Sequence, residues 1–196
     1  MKRYKVILLA MTAAIAVSGC GNNNKFLNKG VKALEKENYS EAVECFEEMI
    51  DAESKEEPKN DKQKKIQSNN LSEAYKGLGM AYLEMKDYEK ALDSYIKCEE
   101  SEGTKTASMY RNMAVCAMEL EQYASAAEYA EKGIEVIKED EESEEPEIKK
   151  DLYLIMIQSL ESDGRWNEAL SWAEGYKEMY PDDKDVDKEI MFLETR

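Results

Sequence analysis

The chain has 196 residues, no histidine, and 43 Asp+Glu against 27 Lys+Arg, a formal charge of −16. The missing imidazole removes the commonest general base and the usual catalytic zinc ligand, and the acidic balance leaves no basic stripe to offset the phosphates of a nucleic acid. Helix formers dominate and there are three prolines and nine glycines, which predicts an all-α protein. No Gly-rich phosphate loop and no Gly-x-Ser-x-Gly elbow appears, so the sequence points away from an enzyme and implies no cofactor and no metal.

The first element is an apolar run. Lys2, Arg3 and Lys5 form a basic head, Val6 to Val17 is mostly Leu, Ile, Val, Ala and Met, and the small residues Ser18 and Gly19 precede Cys20. This is the layout of a secretory signal. At ~1.5 Å per residue the run spans roughly 18 Å, short of a ~30 Å hydrocarbon core, so a permanent membrane helix is not expected. The stretch Val17-Ser18-Gly19-Cys20 resembles the lipobox of bacterial lipoproteins. That resemblance implies removal of residues 1–19 as a signal peptide and a diacylglycerol on the Cys20 sulfur. It also implies a chain lipid-anchored to the bacterial cell membrane, facing outside the cytoplasm. Each buried methylene contributes ~0.8 kcal/mol, and two acyl chains hold where one exchanges. Residues 20–25 then form the lipidated cysteine and a short linker; Gly21 to Lys25 reaches at most ~18 Å. From Cys20 onward, 24 Lys+Arg face 43 Asp+Glu, a formal charge of −19. An anionic membrane surface would repel such a chain, so the lipid is expected to do the holding.

The rest of the chain repeats. "KENYSEAVECFEEM", "MKDYEKALDSYIKC", "LEQYASAAEYAEKG" and "DGRWNEALSWAEGY" share one pattern: an aromatic (Tyr39, Tyr88, Tyr123, Trp166), a small residue three places on (Ala42, Ala91, Ala126, Ala169), and Phe46, Tyr95, Ala130 or Ala173 four further on. The aromatics are spaced by 49, 35 and 43 residues. Upstream, "AYKGLGMAYLEM" carries Tyr75, Leu78, Gly79 and Tyr82, a pattern that resembles the tetratricopeptide repeat. The other upstream halves are weaker: Phe26, Gly30 and Ala33; Tyr110, Met113, Ala114 and Ala117; Tyr153, Met156, Ile157 and Leu160, closed by Pro181. The resemblance implies a right-handed solenoid of four helix-turn-helix repeats, at residues 26–53, 71–103, 104–137 and 150–181, with a capping helix at 182–196.

Physically, each copy is two helices joined by a tight turn such as Lys86-Asp87 or Asp163-Gly164. Gly79, Ala91, Ala114 and Ala126 are read as small because two helix backbones approach there, with aromatics filling the gaps between hairpins. No hairpin buries its apolar face alone, so the hairpins must stack. Val186, Ile190 and Leu193 give the last segment one apolar face. The two long spacings place extra charged residues at 54–70 and 138–149, read as extended helix ends joined by solvated loops. The run Glu139 to Glu147 offers the carboxylates a calcium ion wants but lacks the spacing and glycine of an EF-hand. Cys45, Cys98 and Cys116 fall inside predicted helices and read as small buried hydrophobes; Cys98 and Cys116, on adjacent helices, are an alternative disulfide pair.

Function is therefore expected in a surface. The resemblance implies a concave groove lined by the first helix of each repeat: Leu27, Asn28 and Val31; Lys76, Met80 and Leu83; Arg111, Asn112, Val115 and Met118; Leu154, Ile155 and Gln158. Lys76 and Arg111 occupy the same place in consecutive repeats. With Met80, Asn112 and Val115 they form the candidate partner-binding set, similar to the carboxylate clamps of some tetratricopeptide domains. The expected ligand is a protein or peptide, an acidic segment or a C-terminal carboxylate. Alternatively both cations pair with Glu73, Glu119 or similar acids. The leading function is a membrane-anchored protein–protein interaction adaptor or scaffold outside the cytoplasm. The alternative is a component of an envelope assembly or secretion machine; an enzyme or a solute-binding lipoprotein fits least.

Overall fold

The computed structural model describes residues 23–101, 103–139 and 146–196. The expected signal peptide, Cys20 and residues 140–145 of the acidic run lie outside these. The described residues form nine helices: α1 (Asn23–Glu35), α2 (Tyr39–Lys55), α3 (Asp61–Glu84), α4 (Tyr88–Glu100), α5 (Ala107–Glu119), α6 (Tyr123–Glu139), α7 (Pro146–Ser162), α8 (Trp166–Met179) and α9 (Lys184–Leu193). None of these helices is long and apolar enough to cross a membrane. They pair as four hairpins, α1–α2 to α7–α8, and α9 packs on α8.

One turn recurs in all four hairpins. Glu37, Lys86, Glu121 and Gly164 have φ of 59°, 62°, 58° and 78°. Each is followed two residues later by the aromatic that starts the second helix. The next backbone N–H reaches back to the preceding helix: Asn38 to Ala33 O at 2.9 Å, Asp87 to Tyr82 O at 2.9 Å, Gln122 to Ala117 O at 2.8 Å and Arg165 to Leu160 O at 2.8 Å. These are Schellman closures, in which one left-handed residue satisfies the helix's last carbonyls.

The charged segment at 54–70 is mostly helix. α2 runs to Lys55, and α3 begins at Asp61 behind Asn60, whose side chain accepts from Gln63 N at 3.0 Å. The join is clipped by Gln67, which donates to Glu53 O at 2.5 Å and Glu56 O at 2.7 Å. Glu53 O, in the last turn of α2, also accepts from Glu56 N at 3.2 Å, so Gln67 adds a second bond there.

The small residues make room for rings. A Cβ on Gly79 would lie 2.7 Å from the Tyr95 ring, and one on Gly30 2.7 Å from Phe46; Gly77 faces the same Phe46 ring. Phe46 and Tyr95 are fully buried. Gly79 is thus required by an aromatic inserted from the second helix, not by two backbones meeting. Ala91, Ala114 and Ala126 are fully buried, as are Ala42 and Ala169. Beyond the second hairpin the inserted residue is Ala130, and Leu152 fills the space over Gly133 instead.

Val186 and Leu193 of α9 are buried and Ile190 is half-buried against the last hairpin, as a cap requires. Cys45, Cys98 and Cys116 are buried free thiols, and the Cys98–Cys116 pair is not joined. Burial pushes the Cys116 thiol up to about 12.

Candidate functional site

The odd-numbered helices touch one another in sequence, α1 with α3, α3 with α5 and α5 with α7, whereas among the described residues the even-numbered helices do not. The stack therefore curves around the odd helices, which line its inner face.

On that face the two candidate cations are each paired. Lys76 Nζ lies 2.7 Å from Glu73 one turn before it, with 16% of its side chain exposed. Arg111 is buried; its Nη1 lies 3.3 Å from Asp151 on α7, and its Nη2 donates to Asn112 Oδ1 at 3.2 Å. Asn112 in turn donates through Nδ2 to the hydroxyl of buried Tyr95 at 3.0 Å. The inner face thus carries a chain of polar contacts, Asp151–Arg111–Asn112–Tyr95, that spans three hairpins. Burial pushes the Asp151 carboxyl above its ordinary value, and Arg111 offsets this only in part. Burial likewise pushes the Tyr95 hydroxyl up, so it stays protonated.

Around these polar groups lie half-buried apolar side chains. Met80 packs between the first and second hairpins and Val115 between the second, third and fourth. Val31, Met118, Leu154 and Gln158 are half-buried as well, and Asn28 is exposed. Met118 also accepts a hydrogen bond from Ser159 Oγ at 3.0 Å. Leu27, Leu83 and Ile155 are buried and belong to the core. Of the five candidates, then, Lys76, Met80 and Val115 reach the surface of the inner face, while Arg111 and Asn112 sit beneath it.

Asp151 is the residue the sequence reading missed. Its signal was available: Glu73 and Asp151 each stand thirteen residues before the left-handed turn residue of their own hairpin, Lys86 and Gly164. An open hollow between α8 and α9, lined by Lys150, Tyr180, Pro181 and Asp183, lies off the inner face. Within it Asp183 is engaged twice, by Lys150 at 3.2 Å and by the hydroxyl of Tyr176 at 2.7 Å.

Stacked hairpins of this length, with a small-residue and aromatic register and odd helices on the inner face, define a tetratricopeptide-repeat solenoid. Residues 72–104 match the family model of the tetratricopeptide repeat. No curated protein matches the chain in sequence. Among solved structures the chain is similar to YrrB, "a TPR protein with an unusual peptide-binding site", with a TM-score of 0.66 at 18% identity over 86% of this chain and 74% of that one. It is similar to MamA AMB-1, with a TM-score of 0.64 at 16% identity over 87% and 80% of the two chains. MamA MSR-1 gives 0.61 at 15% identity over 87% and 84%. The likeness to these proteins is one of fold.

Proposed function

We propose that this protein is a lipid-anchored adaptor that binds a protein or peptide on its inner face, outside the cytoplasm of a bacterium. The observation that carries the reading is the composition of that face: half-buried Val31, Met80, Val115, Met118 and Leu154 beside the two acid–base pairs Lys76–Glu73 and Arg111–Asp151. Apolar area left open beside polar groups is the usual make-up of a partner site. YrrB, of the same fold, is described by its peptide-binding site.

The ligand this face suits is an acidic segment or a C-terminal carboxylate. Such a group competes with Glu73 for Lys76 and with Asp151 for Arg111, while Asn112, held by Tyr95, keeps the guanidinium in place. Asp151 is a weak competitor because its own burial disfavours its charge. Anchoring comes from Cys20, and the apolar run before it supplies the export signal.

The test is a photo-cross-linking residue placed at Met80, Val115 or Gln158 on the inner face, and at exposed Glu128 on α6 as the control, in intact cells. Adducts of one partner are expected from the three inner positions and not from Glu128. Adducts from Glu128 alone would move the site to the outer face.

A further inference from the structure

Helix α1 is basic in a molecule that is acidic as a whole. It carries Lys25, Lys29 and Lys32, with Lys36 directly after it, and Glu35 is its one acid. At about 100° per residue the four lysines fall within a stripe roughly 60° wide. All four are exposed. The buried residues Leu27, Gly30, Ala33 and Leu34 lie away from it, so the stripe faces away from the core at the α1 end of the stack. Several lysines elsewhere are held at close range, Lys55 by Asp51 at 2.5 Å, Lys97 by Asp93 at 2.6 Å and Lys132 by Glu99 at 2.7 Å, whereas Lys62, Lys64 and Lys65 at the start of α3 are exposed but lie far along the chain from Cys20. On α1 only Lys29 has an ion pair among the described residues, a loose one of 3.5 Å to Glu41. The sequence reading found no basic stripe; the helix makes one, because spacings of four, three and four bring the lysines together.

We infer that the lysine face of α1 lies on the headgroups of anionic lipids and turns the solenoid's end toward the bilayer. This rests on the lipid-anchor reading. α1 begins at Asn23, so only two residues separate it from Cys20, and its first turn sits within about one Debye length, ~10 Å, of an anchored surface. At that range the local charge counts for more than the distant acids that make the whole chain negative, whose field is screened. Tethering by the lipid also makes weak contacts effective, since the second contact is intramolecular. Glu41 and Glu48 on α2 lie close enough to act on Lys29, so the helix meets the surface along its own edge with α2 tilted away.

The test uses the full lipidated chain, taken from the membrane fraction and reconstituted into vesicles of phosphatidylcholine alone or of phosphatidylcholine with phosphatidylglycerol. Lysines are labelled with a membrane-impermeant amine reagent and read by peptide mass spectrometry. Lys25, Lys29, Lys32 and Lys36 should label roughly fivefold more slowly on the anionic vesicles. High salt should restore the rate, and Lys188 on α9 should not change. Equal labelling on both vesicles, with the protein still bound to them, overturns the inference. Protection that appears in detergent and grows with protein concentration also overturns it, and assigns the face to a second copy of the chain. A chain that carries no lipid and binds neither vesicle fails the anchor reading itself, and this inference with it.

Discussion

Glu37, Lys86, Glu121 and Gly164 sit in the left-handed region in equivalent turns, yet only the last is a glycine. A side chain there crowds its own carbonyl at a cost of ~1–2 kcal/mol, which glycine avoids. Introducing glycine also loosens the unfolded chain, by ~0.4–1 kcal/mol in the opposite sense. The strain is the larger effect. Lys86→Gly should therefore raise stability by up to about 1 kcal/mol. Gly164→Ala carries the same two effects with their signs reversed and should lower it by up to about 1 kcal/mol. Both are read as shifts of thermal midpoint, a few degrees for a chain of this size. Opposite shifts are the expected result; shifts of the same sign would show that strain at the left-handed residue does not set the stability of these turns.

At the scale of elements, the junction of the last hairpin and its cap is sensitive to protons. Glu161, in the final turn of α7, has one carboxyl oxygen buried with no hydrogen-bond partner. Burial, and next the carboxyl of Glu189 on α9, push Glu161 up to about 8. Two carboxylates can only accept, so the pair needs a proton to form a bond. No cation relieves it from α8, where Arg165 is held by Glu168 through bonds of 2.8 and 2.6 Å. The folded state therefore holds a proton that the unfolded chain, near the ordinary value of 4.5, gives up. Stability from this pair is fully present below about 4.5, is lost as the pH rises from there to about 8, and changes no further above that. The thermal midpoint should fall between pH 6 and pH 9, and Glu161→Gln, which mimics the protonated acid, should flatten that fall. A parent and variant with parallel pH profiles would show that α9 docks independently of this pair.

For the whole molecule, an inner face of odd-numbered helices and an end face of lysines are set at an angle to each other by the stacking. If the end face rests on the bilayer, the inner face opens sideways, accessible to a partner at the membrane surface. In the proposed arrangement the anchor is Cys20. Cys20→Ala should release the protein from the membrane fraction, and mass spectrometry of the parent should find a lipid-modified peptide beginning at Cys20. A Cys20→Ala protein retained in the membrane would remove the anchor from this picture.

The helical class, the hairpin phase and the turns are legible along the chain, because they depend on short-range spacing. The aromatic register at Tyr39, Tyr88, Tyr123 and Trp166 marks each second helix at its first residue, and the left-handed residue stands two places before it. The cap at Val186 and Leu193 was legible for the same reason. What the tertiary structure alone decided was which partner each side chain meets. Gly79 is small because of a ring from Tyr95, sixteen residues on. Arg111 reads from the sequence either as a groove cation or as the partner of an acid such as Glu119, yet it is Asp151, forty residues away on the next hairpin, that closes over it. Charge pairing and burial depend on how hairpins curve against one another, and that curvature follows from the summed packing of every interface, which no local spacing records.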